Sequence, residues 1–154
     1  MNENRTFKVK LVDSQPVLEI IEDSKPILEV SISSYLHLEE ILMAASRSFN
    51  PTNLIGLDID DISTMLSGGA RLLSYSNNYK DFLKSYKTVL QDFDQKYSLA
   101  RAAIVSLQGS FSLTDANEIL SSISDLNNDN DIIFTICNRD EAEPVYLDIW
   151  QKFD

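Results

Sequence analysis

Three carboxylates lie within four residues of one another, at Asp58, Asp60 and Asp61, directly after the apolar turn LIGL. Two interpretations of this cluster are open. At the start of a helix, carboxylates accept hydrogen bonds from the first free N–H groups and favour the positive end of the helix dipole, which is a structural role. At a junction between a loop and a helix, they can also orient a water for attack on a phosphoryl group. The second role needs a phosphate site, and the sequence offers none.

The glycine content argues against a phosphate-binding loop. The chain has only four glycines, and only Gly68 and Gly69 are adjacent. Walker and dinucleotide loops need several glycines within a few residues. We therefore expect no cofactor, and no nucleotide in particular, to be bound by this chain alone.

Metal ligands are also scarce. His37 and Cys137 are single residues of their types, so the sequence lacks the set of soft ligands that a structural zinc site uses. Residues 125–129 have the opening spacing of a calcium loop, but Asn130 stands where a glycine is required and Ile136 where a glutamate is required. A solvated turn fits this segment better, and a helix-surface position fits the histidine better than a catalytic role. No metal is expected.

The overall charge narrows the class of partner. The 154 residues include 24 acidic and 13 basic side chains, which gives a net charge of −11. Nucleic acids and anionic membranes are bound by clustered Lys and Arg, and no basic stripe is present. The N-terminus lacks the apolar core of a signal peptide, and no stretch approaches the roughly 18 apolar residues of a membrane span. We expect a soluble cytoplasmic protein with no nucleic-acid partner.

The elements that must position the acidic cluster include strands and a helix that the sequence predicts before residue 50. Alternation of apolar and polar residues over 6–12 predicts a half-buried strand, whereas 17–22 is compatible with a strand or a short helix. Between Pro26 and Phe49, apolar residues recur at three- and four-residue steps. This spacing predicts one long helix, which begins at Pro26 or only near Ser33.

Helices and strands alternate after residue 58, in the order α-β-α-β-α-β-β. Asp58 is predicted to cap a helix that ends at Gly68-Gly69. Four strands follow, at 70–76, 102–107, 131–137 and 144–150. An amphipathic helix over 81–97 separates the first two, and a helix that begins at Ser112 separates the second from the third. The linker between the last two strands is long enough for an antiparallel hairpin.

These elements predict an α/β fold in which a long N-terminal helix packs on a small mixed four-stranded sheet with covering helices. Residues 1–50 would hold the N-terminal strand, the short helix or strand and the long central helix. Residues 51–154 would form the α/β domain, and the two parts together would make one compact unit.

The same segments, taken in order, resemble the tubulin/FtsZ family, and specifically the central helix and C-terminal domain of bacterial FtsZ. SFNPTNLIGLDIDDISTMLSGGARLLSYS is similar to the family's synergy loop, the following helix and the first strand of that domain. The resemblance includes one stretch before this segment, VLEIIEDSKPILEV, and three stretches after it, SLTDANEIL, NDIIFTI and YLDIWQKFD. Each motif is short, so their collinear order over nearly the whole chain carries the resemblance.

The resemblance gives the acidic cluster a specific role. In the family, two carboxylates and an asparagine of the synergy loop enter the nucleotide pocket of the next subunit and complete its GTPase site. Asp58 and Asp61 stand at the two carboxylate positions, and Gly56 stands at the asparagine position. The family's glycine-rich GTP loop has no counterpart in this chain.

The resemblance therefore implies a domain that does not bind nucleotide, is not an enzyme on its own and acts by protein-protein contact. It would cap or regulate an FtsZ-type filament in cell division. The alternative is the C-terminal part or split half of an FtsZ-like GTPase, which supplies the synergy loop in trans. The expected partner is an FtsZ-like protein or a second copy of this chain, paired through the N-terminal strand.

Overall fold

The computed structural model describes residues 4–50, 57–127, 131–138 and 144–153. Over these residues the chain is α/β, with four helices and one mixed sheet of seven strands. In chain order the elements are β1 Arg5–Val12, β2 Gln15–Glu22, β3 Lys25–Ser33, α1 Leu38–Ser48, α2 Ile59–Leu66, β4 Ala70–Asn77, α3 Tyr79–Tyr97, β5 Ala103–Gly109, α4 Leu113–Asn127, β6 Ile132–Asn138 and β7 Val145–Lys152. The strand order across the sheet is β1-β2-β3-β4-β7-β5-β6.

The first three strands form an antiparallel meander. Two-residue turns join them, Asp13-Ser14 and Asp23-Ser24, and both residues of each turn have positive φ, between 50° and 67°. Such turns match the right-handed twist of the strands they connect. The open question about residues 17–22 is thereby settled in favour of a strand, and the predicted strand over 6–12 is confirmed.

Of the two predicted starts of the N-terminal helix, Pro26 is wrong, whereas the start near Ser33 is close to the observed one. Residues 25–33 form β3, and the helical part is limited to α1, which has 11 residues. Leu28, Val30 and Ile32 lie at every second position, so they satisfy the two-residue period of a strand as well as parts of a helical one. Pairing with β2 on one side and with β4 on the other selects the strand.

The predicted four-stranded sheet is present as β4, β7, β5 and β6, but the meander extends it to seven strands through a short parallel pairing of β3 with β4. The predicted hairpin between the last two strands is wrong. β6 is parallel to β5, and β7 lies between β4 and β5, antiparallel to both. Because β7 is buried along most of its length, it belongs in the centre of the sheet and not at a hairpin edge.

The two faces of the sheet carry separate hydrophobic cores. On one face, α1 and α2 pack against β2, β3 and the apolar rows of the other strands. On the opposite face, α3 and α4 pack against β4, β5, β6 and β7, so the predicted core role of the aromatic residues of α3 is confirmed for Phe82 and Tyr86. No helix among the described residues is long and apolar enough to cross a membrane.

Candidate functional site

The structure places the acidic cluster at the start of α2. Asp58 is the N-cap residue, and its carboxylate accepts a hydrogen bond from the backbone N–H of Asp61 at 2.9 Å. The side chains of Asp58, Asp60 and Asp61 are all on the surface. The predicted capping role is therefore confirmed, and the exposed carboxylates remain accessible to a partner. Gly56 lies outside the described residues.

Arg5 of β1 holds the segment that leads into this cluster. Its guanidinium donates to the carbonyl of Phe49, at 2.8 Å, and to the carbonyl of Leu57, at 3.0 Å. Phe49 ends α1, and Leu57 directly precedes the Asp58 cap. Glu22 of β2 accepts from the same guanidinium, which is almost fully buried. The Arg5 guanidinium thus binds the backbone both at the end of α1 and just before the start of α2.

A second polar cluster lies where the fold would lead one to expect apolar side chains, on the sheet face that α1 covers. Leu72, Trp150 and Ile104 form an apolar row across β4, β7 and β5. The next row, two residues further along each strand, is polar on four adjacent strands and consists of Ser74, Asp148, Ser106 and Thr135. Asp148, Ser106 and Thr135 are buried.

Arg47 of α1 covers this polar row. Its Nε and Nη2 donate to the two carboxylate oxygens of Asp148, each at 3.0 Å, and Ser74 donates its hydroxyl proton to Oδ1 at 2.6 Å. The guanidinium also lies 4.2 Å from the centre of the Tyr146 ring. Bidentate pairing of this kind fixes the orientation of both side chains, so α1 is held in one register on the sheet.

Burial raises the pKa of Asp148 above its ordinary value of 3.8. The hydrogen bonds and the positive charge of Arg47, together with the hydroxyl of Ser74, act in the opposite direction. Burial has the largest effect because the carboxyl group is completely removed from solvent.

Two recesses lie along the flank of α1, beside this ion pair. The larger has a volume of about 580 Å³ and is lined by Leu42, Met43, Ser46, Arg47, Asn50, Gln108, Pro144 and Tyr146. The smaller has a volume of about 230 Å³ and is lined by Leu36, Glu40, Met43, Arg47, Ser74, Ser76 and Tyr146. Met43, Arg47 and Tyr146 line both recesses, and we call the two recesses together the α1 groove.

The titratable groups of these two regions are held by neighbours within the fold. Both oxygens of Asp148 are engaged by Arg47 and Ser74 within the fold. His37 begins α1 as its N-cap residue, and its backbone N–H donates to Glu40. In the described parts of the chain, no three His, Cys, Asp or Glu residues come together to hold a metal ion.

Sequence reasoning found the acidic cluster but missed Arg5, Arg47, Asp148 and Gln108. One signal was available for Asp148, since an acidic residue in the otherwise apolar strand VYLDIW is unusual unless it is paired. The partners of Arg5 lie 44 and 52 residues away along the chain, and no local pattern indicates them.

No protein-family model matches the chain, and no curated protein matches its sequence. Among solved structures, the chain is similar to CetZ1 from Haloferax volcanii, a tubulin/FtsZ-family protein whose structure is a GDP-bound monomer. The two are 15% identical, with a TM-score of 0.43, and the match covers 62% of this chain and 33% of CetZ1. The likeness is weak, and the chain matches only a third of that protein's length.

Proposed function

We propose that this chain is a tubulin/FtsZ-like domain that binds no nucleotide and regulates an FtsZ-type filament by protein contact. The observation that carries the proposal is the exposed pair Asp58 and Asp61, presented at the start of α2 beside a backbone that Arg5 holds. The collinear order of the family-like segments supports it, because this pair stands at the two carboxylate positions of the synergy loop.

The geometry of a head-to-tail filament gives the pair its function. Such a filament needs two different faces on each subunit, one for each neighbour. This chain retains the carboxylate face and has no glycine-rich loop with which to build a nucleotide face. Bound to the nucleotide face of a terminal subunit, it would offer nothing to the next subunit and would stop growth at that end.

The test is sedimentation of polymerising FtsZ from the same organism in the presence of increasing amounts of this chain. We expect less polymer in the pellet when the chain is present below the FtsZ concentration. Asp58→Asn keeps an acceptor for the helix cap but removes the charge, and Asp61→Asn removes the second charge. Both variants should lose the effect, whereas Asp60→Asn, which makes the same change of charge at the intervening position, should retain it.

GTP hydrolysis measured in the same reactions separates capping from the split-enzyme alternative. A cap lowers hydrolysis together with polymer mass, because fewer subunit contacts complete the GTPase site. A chain that supplies the synergy loop in trans raises hydrolysis per subunit without adding polymer. Unchanged pellet mass and unchanged hydrolysis at excess protein would overturn both forms of the proposal.

A further inference from the structure

The two edges of the sheet differ in how they are protected against pairing. β1 closes one edge and carries the exposed Lys8 and Lys10. β6 closes the other edge, and its seven residues, IIFTICN, include no charged residue and no proline. Proteins commonly place charges or prolines on an edge strand to prevent it from pairing with another chain. β6 has neither, and its apolar, β-branched composition is typical of strands that pair on both sides.

The outer side of β6 presents backbone groups to a further strand. The carbonyl of Asp131, just before β6, accepts a hydrogen bond from the N–H of Ala103 in β5, at 3.0 Å. Because successive residues of a strand direct these groups to opposite sides, the N–H and C=O of Ile132, Phe134 and Ile136 point away from β5. No strand in the described part of the chain pairs with β6 on that side.

The side chains of the same three residues are only partly buried against the core. The edge therefore combines a row of backbone donors and acceptors with apolar surface beside it. An added strand satisfies both features at once, since its main chain supplies the hydrogen bonds and its side chains cover the apolar surface.

We propose that β6 pairs with the β6 of a second copy of this chain, antiparallel, about a two-fold axis at Thr135. In a two-fold interface, residue i of one copy contacts residue j of the other, and j contacts i in return. Outward-pointing backbone groups must also meet outward-pointing ones. An axis at Thr135 fulfils both conditions and overlaps all seven residues of the strand, because it places Phe134 opposite Ile136.

The side chains that this register brings together favour a second copy as the occupant. Phe134 meets Ile136 twice, and an aromatic residue opposite a β-branched one is a favourable cross-strand pair. Ile133 meets Cys137, so no like charges oppose one another along the strand. Self-pairing of β1 would instead bring Lys8 and Lys10 of two copies together, which is unfavourable. β6 is therefore the edge through which two copies associate more tightly.

A disulfide cross-link tests the register. The backbone groups of residues 133 and 137 point towards β5, so these two positions oppose each other as a non-hydrogen-bonded pair, with Cα atoms about 4.5 Å apart. This separation is within the range of a disulfide. Within one copy the same positions are about 13 Å apart, and two native Cys137 residues in the dimer are at least as far apart, which is too far for a disulfide.

We expect Ile133→Cys to form a covalent dimer under mild oxidation, with residue 133 of one copy linked to Cys137 of the other, as identified by peptide mapping of the cross-linked product. The wild-type chain should not cross-link. Ile132→Cys is the matched control, because its side chain lies on the opposite face of the strand from Cys137 and should give no such link.

Sedimentation velocity of the reduced protein at increasing concentration gives a second measurement. The wild-type chain should form a dimer, and Ile136→Lys should raise its dissociation constant about tenfold or more, because the two added charges enter an apolar strand pair. Thr6→Lys adds the same charge at an exposed position of β1 and should leave the β6 dimer intact. Circular dichroism checks that both variants are folded, and the cross-link of Ile133→Cys does not depend on either of them.

Asp58→Asn and Asp61→Asn should leave dimerisation unchanged, so failure of the filament proposal and failure of this one are distinguishable. The inference is overturned if the wild-type chain is a monomer at every concentration, if oxidised Ile133→Cys contains no link between residues 133 and 137, or if Thr6→Lys dissociates the dimer and Ile136→Lys does not.

Discussion

Replacing Arg47 with methionine leaves the carboxyl group of Asp148 buried without its cation. Asp148 is completely buried and the Arg47 side chain is 13% exposed, so solvent offers little compensation. Removal of one partner of a buried ion pair costs about 3–5 kcal/mol of unfolding free energy. We expect Arg47→Met to lose an amount in this range at pH 7, as measured by urea denaturation.

The pH dependence follows from the direction of the Asp148 pKa shift. The pKa of this carboxyl is already raised by burial, and removal of Arg47 raises it further. A carboxyl whose pKa is higher in the folded state binds its proton more tightly there. The stability that this carboxyl contributes is therefore fully present below pH 4, near its pKa in the unfolded chain. It is lost as the pH rises through the pKa of the same group in the folded state. The loss caused by Arg47→Met should be largest at pH 7 and smaller at pH 4.5.

Two further variants complete the assay. The pH dependence of the Arg47→Met defect should disappear in Arg47→Met combined with Asp148→Leu, because no titrating group remains at the site. That double variant should recover most of the lost stability, since a buried ion pair is often replaced by apolar residues without net cost. The reasoning is refuted if the defect of the single variant grows as the pH falls from 7 to 4.5, because the Asp148 pKa would then be lowered in the fold.

Three more outcomes are expected. Arg5→Met leaves two backbone carbonyls without their charged donor and should lower the unfolding free energy by about 3 kcal/mol in urea denaturation, whereas Lys10→Met on the outer face of the same strand should leave it nearly unchanged. Gly109→Ala should lower the unfolding free energy by about 2–4 kcal/mol, because Gly109 has a φ of 151° and an added Cβ would lie 2.9 Å from the backbone of β7. Gly68→Ala is the control, since the nearest atom to an added Cβ there is 3.7 Å away, and it should leave the unfolding free energy nearly unchanged. Dimerisation through β1 should strengthen as salt rises, because symmetric antiparallel pairing brings the exposed Lys8 and Lys10 of two copies together; sedimentation showing a concentration-independent monomer at low and high salt would contradict strand pairing.

The sequence predicted those elements whose periodicity or capping is unambiguous. The helix over 81–97 is confirmed as α3, and the Ser112 cap of α4 is confirmed by a hydrogen bond from the backbone N–H of Asp115. Gly69 has a positive φ and bonds back to Leu66, as the predicted end of α2 requires. These features depend on residues within one or two turns of each other, so the local sequence contains the necessary information.

The N-terminal meander escaped prediction because its turns lack the usual signal. Turns with two positive φ angles typically have Asn, Asp or Gly first and glycine second, whereas serine is the second residue in Asp13-Ser14 and Asp23-Ser24. Without that signal, the three- and four-residue steps between apolar residues from Pro26 onward predict a helix continuous with α1. The polar row around Asp148 was hidden for a different reason, since it exists only after β7 is inserted between β4 and β5, and the sequence does not specify that order.

The meander contributes directly to the candidate site. Arg5 lies in β1, the strand at the edge of the sheet, yet its side chain bonds to Phe49 and Leu57 on either side of the passage from α1 to α2. The orientation of α2, and with it the direction in which Asp58 and Asp61 point, therefore depends on a strand far away in sequence. Loss of the Arg5 guanidinium removes the charged donor from both carbonyls at once, so Arg5→Met tests how far this edge strand fixes the start of α2.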